Sequence, residues 1–454
     1  MSTIKGVFFD LDGVLVEAKL IHYDALNEAL PDEYKISWKD HLSIYDGLKT
    51  NQKLDMLHER KGLPKSMFEE VWKNKQSITQ DRLKNLKSSK ELIEVFTTLK
   101  ANGIKVAVCS NSIRATVVTV LSKLGLIELV DFFVSNEDVS NSKPHPEMYW
   151  KAMVQFNLNP SEVMIVEDSP HGLKAATNSG AHVLRVKNPE EVTVKNIFSN
   201  LKNPKKMTEP KWVDKKLNVV IPMAGAGSRF AKAGYTFPKP LIEVGGKPMI
   251  QVVVENLNID ANFIFIVQNS HREQYNLDTT LRLIAPGCEI IGIDGVTEGA
   301  ACTVLLAKEF INNQNPLFFA NSDQFVEWNS SEFFYRMQET NADGGIPIFK
   351  STHPKWSFAR LDENNHVVEV QEKNPISDNA TVGFYYFKKG ADFVQNAEEM
   401  IMANDRVNDE FYLCPVFNYL IKNGGVVRIS EIDEMWGLGT PEDLDSYLKL
   451  KHNK

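Results

Sequence analysis

A chain of 454 residues, 43% hydrophobic and 24% charged, is long enough for at least two cores and has ordinary globular composition, which excludes a wholly disordered protein. Its formal charge of −8 excludes bulk nucleic acid as the main partner, since that would demand a basic face. Four scattered cysteines, Cys109, Cys288, Cys302 and Cys414, form no CxxC pair, so neither a zinc site nor a disulfide framework is expected and a reducing cytoplasm fits. The first apolar run, residues 6–10, predicts a buried strand ending in an acidic loop. Residues 17 to about 90 are polar and helix-favouring with no comparable strand run, which predicts a helical insertion that caps the strand ends. Runs at 105–110, 131–135 and 162–167 predict further strands, and 113–124 an amphipathic helix between them. That alternation implies an α/β fold with a parallel sheet. Residues 201–216, lysine-rich and punctuated by proline, predict a linker between a first domain, 1–200, and a second, 217–454. The second domain opens on a strand at 218–222 and continues with strand runs at 263–267, 316–320 and 381–387. No run of about 18 apolar residues occurs and the first residues lack a signal-peptide layout, so no membrane partner and no export are expected.

The first strand ends in Asp10-Leu-Asp12-Gly13, two carboxylates two residues apart in a turn. One can attack phosphorus while a magnesium ion neutralises the repulsion between anions, and the other can protonate the leaving oxygen. A DxDG turn alone is as readily a pair of solvated acids. Three further groups shift that balance, because Ser110, Lys143 and the pair Glu167-Asp168 also lie at or near predicted strand ends, where open α/β sheets bind ligands. Ser110 can hydrogen-bond a phosphoryl oxygen and Lys143 can neutralise its charge.

The four segments FFDLDGVL, VCSNS, SKPHPEMY and VMIVEDSPHGLKAA resemble the haloacid dehalogenase superfamily over residues 3 to 190, in its helical-cap phosphatase and phosphomutase branch. The resemblance implies Asp10 as nucleophile, Asp12 as general acid/base, Ser110 and Lys143 as phosphate holders and Asn111 as a substrate contact. It also implies a magnesium environment of Asp10, Asp12 and Asp168, with Asp12 contributing its backbone carbonyl. Glu17 stands where close relatives usually carry Asp. His22, on the first cap helix, is a candidate to meet substrate, although a lone histidine is more often structural.

In the second half, Pro222-Met-Ala-Gly225-Ala-Gly227-Ser-Arg229 follows a strand with small residues that let backbone N–H groups approach a triphosphate. It lacks the third glycine of a redox dinucleotide fingerprint. Lys239 and Lys247, each beside proline, read as cations held over phosphates, or as a solvated surface loop if taken singly. Together, PMAGAGSRF and FPKPLIEVGGKPMI resemble the sugar-phosphate nucleotidyltransferases over about 217 to 450. The resemblance implies two Rossmann-like three-layer domains in all, with Gly225 and Gly227 at the triphosphate, Arg229 and Lys239 as catalytic cations, and Asp323 holding magnesium. Gly299 falls in a base-side loop. Glu372 and Lys373 match an element whose carboxylate binds acceptor hydroxyls and whose lysine binds its phosphate, and Gly383 allows a sugar ring to come close. Residues 408–412 match an acidic and aromatic segment of the relatives. Gly437 departs from the pattern, since many relatives carry a second metal-binding Asp there; Asp433 or Glu434 could compensate.

The expected activity is bifunctional: magnesium-dependent phosphomonoester hydrolysis through an aspartyl-phosphate, and transfer of a nucleotidyl group to a sugar or polyol phosphate with release of pyrophosphate. The partners implied are a nucleoside triphosphate, CTP or UTP first, and the phosphorylated acceptor, for surface polysaccharide such as capsule. A homo-oligomer is compatible with the sequence. The alternatives are a first domain acting as a phosphomutase that feeds the transferase, or as a non-catalytic dimerisation or regulatory module.

Overall fold

The computed structural model describes residues 4–45, 48–201, 211–225 and 228–452, and the chain divides into two compact units, Met1–Pro210 and Lys211–Lys454. The first unit is built on β1 (Gly6–Phe9), α1 (Lys19–Ala29), α2 (Thr50–Lys61), α3 (Phe68–Leu83), α4 (Lys90–Ala101), β2 (Lys105–Cys109), α5 (Arg114–Leu124), β3 (Phe132–Val134), α6 (Glu147–Phe156), β4 (Val163–Glu167), α7 (Pro170–Asn178) and β5 (His182–Arg185). Its five strands run parallel in the order β3-β2-β1-β4-β5. Central β1 is an unbroken apolar run, GVFF, because a parallel strand covered on both faces has no polar side to show. On α4 the buried residues Leu92, Val95, Phe96 and Leu99 make one apolar stripe, and the Ser89 hydroxyl caps the first turn by accepting from Leu92 N at 3.2 Å. The insertion between β1 and β2 is helical, as expected, and carries a small core of its own around Leu26, Tyr45, Leu54, Leu57 and Val71.

His41 lies fully buried in that cap, stacked on Trp38 with ring centroids 5.4 Å apart. Burial pushes its imidazole down to about 3, with Lys53 and His22 adding to the effect. The unfolded chain takes up that proton near pH 6.5 and the folded chain does not, so the first unit loses stability as pH falls below about 6.5. Its denaturant midpoint is expected to drop between about pH 7 and about pH 5, and His41→Phe to flatten the slope. An equally steep slope in the variant would remove His41 as the cause.

The second unit carries a mixed sheet of ten strands: β6 (Trp212–Pro222), β7 (Ile259–Gln268), β8 (Glu289–Ile293), β9 (Leu317–Phe319), β10 (Gly344–Lys350), β11 (Ser357–Leu361), β12 (Val367–Glu372), β13 (Asn379–Thr381), β14 (Tyr385–Phe387) and β15 (Val427–Glu431). The order is β8-β7-β6-β9-β14-β10-β13-β11-β12, with β15 alongside β10. Strands β8, β7, β6 and β9 are parallel, and β14 turns the sheet antiparallel. Val219 and Ile221 of β6 enter one core layer and Val220 the other, so both faces are covered and three layers result.

Two expectations change here. The linker expected over 201–216 is shorter, because β6 already begins at Trp212, whose ring stacks on Phe334 and whose N–H bonds Asn258 O at 3.1 Å; residues 202–210 lie outside the described residues. The single strand expected over 381–387 is two strands, interrupted where Gly383 takes a positive φ of 83°.

Candidate active sites

In the first unit, strands β1, β2 and β4 lie side by side, so the loops after them bring Asp10, Ser110 and Asp168 together at one edge of the sheet. Lys143 Nζ reaches both Asp10 Oδ1 at 2.5 Å and Glu167 Oε1 at 2.6 Å, and all three side chains are buried. Tyr149 OH donates to the same Glu167 oxygen at 2.9 Å. Burial alone would lower the Lys143 ammonium, but the two carboxylates raise it above the usual lysine range, so it stays charged. Burial raises the Asp10 carboxyl well above its ordinary value; Lys143 opposes this, and Glu167, Asp168 and Asp12 add to it. Asp12 is the counterexample. Burial would raise it too, yet hydrogen bonds from Ser112 Oγ at 2.9 Å and His22 Nε2 at 3.2 Å, with the charges of His22 and Lys75, hold it below the usual carboxylate value.

Oxygens of Asp10, Glu167 and Asp168 can all lie within 4.8 Å of one another. Three buried carboxylates this close together fit a hard divalent cation. Lys19 also touches this cluster, 2.8 Å from Asp168 Oδ2. Gly13, at φ +94°, permits the arrangement, since a Cβ there would stand 2.2 Å from Asp168 Oδ2. Asp10, Asp12, Ser110, Asn111, His22 and Lys143 all line one cavity of about 70 Å³. The Asn111 amide is itself engaged with the Lys143 backbone, accepting from its N–H at 3.1 Å and donating to its carbonyl at 3.3 Å, so it fixes the lysine loop.

In the second unit, Gly225 and Arg229 after β6, Lys239 in a proline-fixed turn, and Asp323 after β9 converge on a cleft of about 390 Å³. Lys239 and Asp323 form an ion pair there, each about a quarter exposed. Gly383 backs this cleft against the Asn321 side chain. Gly227 lies outside the described residues. Glu372 and Lys373 belong to a second grouping: the Ser357 hydroxyl donates to Glu372, and Lys373 Nζ donates to Tyr412 OH at 2.6 Å. Burial raises the Glu372 carboxyl above its ordinary value, against Ser357 and Lys373.

Gly299, at φ +132°, presses against the 410–412 segment, where an added Cβ would meet the Phe411 backbone N and O at 2.5 Å. Gly299→Ala is therefore expected to destabilise the second unit by about 1–3 kcal/mol. A denaturant midpoint unchanged from wild type would contradict this packing.

Three residues were given no role of their own by the sequence. Glu167, read there only as half of an acidic pair, holds Lys143; Lys53 and Lys75 line the cavity from the cap. A signal existed for both lysines. Lys75 shares the buried face of α3 with Val71, Thr79 and Leu83, and Lys53 that of α2 with Leu54 and Leu57, positions where the helical period calls for apolar side chains. Glu434 opens the short strand Glu434–Gly437 and Asp433 precedes it, whereas it is Asp443 that a Cβ at Gly437 would approach, at 3.3 Å.

Residues 7–186 match the haloacid dehalogenase-like hydrolase family and residues 218–445 match the nucleotidyl transferase family. A phosphorylated carbohydrates phosphatase of Thermotoga maritima is 26% identical over 180 residues, which cover 39% of this chain and 82% of that protein. Pyrophosphatase PpaX of Bacillus cereus is 29% identical over 194 residues, 40% of this chain and 83% of that protein. Among solved structures, a nucleoside-diphosphate-sugar pyrophosphorylase of Vibrio cholerae is similar at 28% identity and a TM-score of 0.46, over 51% of this chain and 99% of that one. The chain thus belongs to the nucleotidyl transferase family through residues 218–445, and joined to that domain is a haloacid dehalogenase-like hydrolase domain.

Proposed function

We propose that the first domain hydrolyses a phosphomonoester with magnesium and that the second transfers a nucleotidyl group from CTP or UTP to a sugar or polyol phosphate, releasing pyrophosphate. The observation that carries the transferase reading is the convergence of Arg229, Lys239 and Asp323, from three separate stretches of chain, on one cleft beside the Gly225 loop.

In the hydrolase domain an Asp10 oxygen attacks phosphorus, the bond to the leaving oxygen breaks, and the alcohol departs with a proton delivered from Asp12. His22 Nε2, 3.2 Å from Asp12 Oδ1, orients that carboxyl group between the two steps. Water then cleaves the aspartyl-phosphate, giving its proton to Asp12 and restoring Asp10. Lys143 and Ser110 hold the phosphoryl oxygens. Magnesium bound by Asp10 and Asp168 would supply charge neutralisation between nucleophile and phosphate. Hexose 6-phosphates are expected to release inorganic phosphate; build-up of the 1-phosphate isomer, stimulated by a sugar bisphosphate, would indicate a phosphomutase instead.

In the transferase domain an acceptor phosphate oxygen attacks the α-phosphorus, the bond to the β-phosphate oxygen breaks, and pyrophosphate leaves. Arg229 and Lys239 neutralise the triphosphate, Asp323 offers a magnesium ligand, and Lys373 with Glu372 orients the acceptor. The two reactions fit consecutive steps toward a surface polysaccharide, the hydrolase preparing the acceptor that the transferase activates. The test is a matrix of the common nucleoside triphosphates against phosphorylated sugars and polyols, scored by pyrophosphate release. Turnover with a pyrimidine nucleotide and one such acceptor is expected; pyrophosphate from no pair would refute the reading.

A further inference from the structure

We infer that Tyr412 positions the Lys373 ammonium for the acceptor phosphate, and that Arg406 braces the segment carrying Tyr412. This rests on the transferase reading, in which Lys373 receives the acceptor, and adds two positioning residues to it. Lys373 is exposed and directly follows β12. An exposed lysine samples many rotamers, so holding its ammonium in one place costs side-chain entropy. Here one residue holds it twice: Nζ donates to Tyr412 OH at 2.6 Å and stands 4.6 Å from the centroid of the Tyr412 ring. Among the described residues the ammonium forms no ion pair, so N–H groups remain for an incoming phosphate oxygen. The Tyr412 hydrogen bond raises the ammonium above its ordinary value against burial, with Glu372 and Glu410 adding to the effect, so it stays charged.

Tyr412 is itself held from behind. Val407 and Glu410 exchange both backbone hydrogen bonds at 3.0 Å, and Asn408 and Asp409 between them lie at φ +48° and +63°. Two successive left-handed residues make the tight hairpin turn that Asn and Asp tolerate well. Phe411, 2% exposed, then clasps the 298–301 loop: its N–H donates to Glu298 O at 2.8 Å and its carbonyl accepts from Ala301 N at 2.9 Å. Arg406 braces turn and clasp together. Its guanidinium lies over the Phe411 ring at 4.1 Å, pairs with the Glu298 carboxylate, and donates to Asp409 O at 3.2 Å and Asn404 Oδ1 at 2.7 Å. A planar fork with five donors makes all these contacts from one position. The acceptor ammonium is thus seated on Tyr412, and Tyr412 on a segment pinned to the 298–301 loop.

The full chain with magnesium would be assayed for pyrophosphate release with CTP and UTP, each against glucose 1-phosphate, ribitol 5-phosphate and glycerol 3-phosphate. Tyr412→Phe keeps the ring and loses the hydroxyl; it is expected to raise acceptor KM by about tenfold, the scale of one hydrogen bond to a charged group, with nucleotide KM within about twofold of wild type. Arg406→Met should raise acceptor KM by about fivefold, the scale of a half-exposed ion pair with its ring contact. The decisive comparison repeats both substitutions in a Lys373→Met background. Positioning acts only through the Lys373 ammonium, so each should there change acceptor KM by about twofold or less, whereas a merely structural role repeats its full effect. Full losses in the double variants, or an acceptor KM untouched by Tyr412→Phe, overturn the inference while leaving the transferase reading intact. An acceptor KM unchanged by Lys373→Met overturns the acceptor assignment of that reading and the inference with it. Pyrophosphate from none of these pairs would overturn turnover as read here; calorimetric titration of the three acceptor phosphates into wild type and Tyr412→Phe then decides the positioning separately, and equal affinities or no binding overturn it too.

Discussion

Asp10→Asn is expected to lower magnesium-dependent phosphate release by at least about a thousandfold, because an amide cannot attack phosphorus. Folding should survive. Glu167 still compensates Lys143 at 2.6 Å, and the substitution removes a buried carboxyl group whose charge is disfavoured by burial and by Glu167, Asp168 and Asp12. Without magnesium the variant should therefore be as stable as the wild type or more so, measured as a denaturant midpoint. Nucleotidyl transfer by the same preparation should remain close to wild type, since Arg229, Lys239 and Asp323 belong to the other compact unit. Retained phosphate release would remove Asp10 as the nucleophile.

Lys239→Ala and Asp323→Ala should each lower nucleotidyl transfer by at least about a hundredfold, the scale of losing one preorganised charge contact to a reacting phosphate. Neither truncation opens a core cavity, because each side chain is about a quarter exposed in the cleft. Their ion pair makes the metal responses diverge. Lys239 competes with a cation for Asp323, so Lys239→Ala should reduce the magnesium needed for half of its residual rate, whereas Asp323→Ala should increase it. Steady-state pyrophosphate release across a magnesium series measures both effects. Identical magnesium curves for the two variants would deny Asp323 a metal role.

The parallel sheet of the first unit was readable because its strands are short, continuous apolar runs between amphipathic helices, and each predicted run lies within a residue or so of the observed strand. Spacing also pointed to Asp10, Ser110, Lys143 and Asp168, since strand order alone brings strand ends together. What escaped was long-range pairing. The antiparallel half of the second sheet depends on which strand lies beside which, and strand-like runs at 316–320 and 381–387 carry no direction. Glu167 escaped because a carboxylate beside Asp168 reads as one acidic pair, whereas the fold turns it back onto Lys143. Lys53 and Lys75 escaped because helical lysines are usually solvated. Their place among apolar positions of the helical period was the one hint, and the buried faces of α2 and α3 include them both.

The central claim is that two independent active sites share one chain. The most direct measurement assays phosphate release from an aryl phosphate and pyrophosphate release from the best nucleotide and acceptor pair, on the same purified wild type, Asp10→Asn and Asp323→Ala proteins. The account predicts a clean crossover: Asp10→Asn loses only the first activity and Asp323→Ala only the second. Loss of both activities in either variant, with its fold intact, would contradict it.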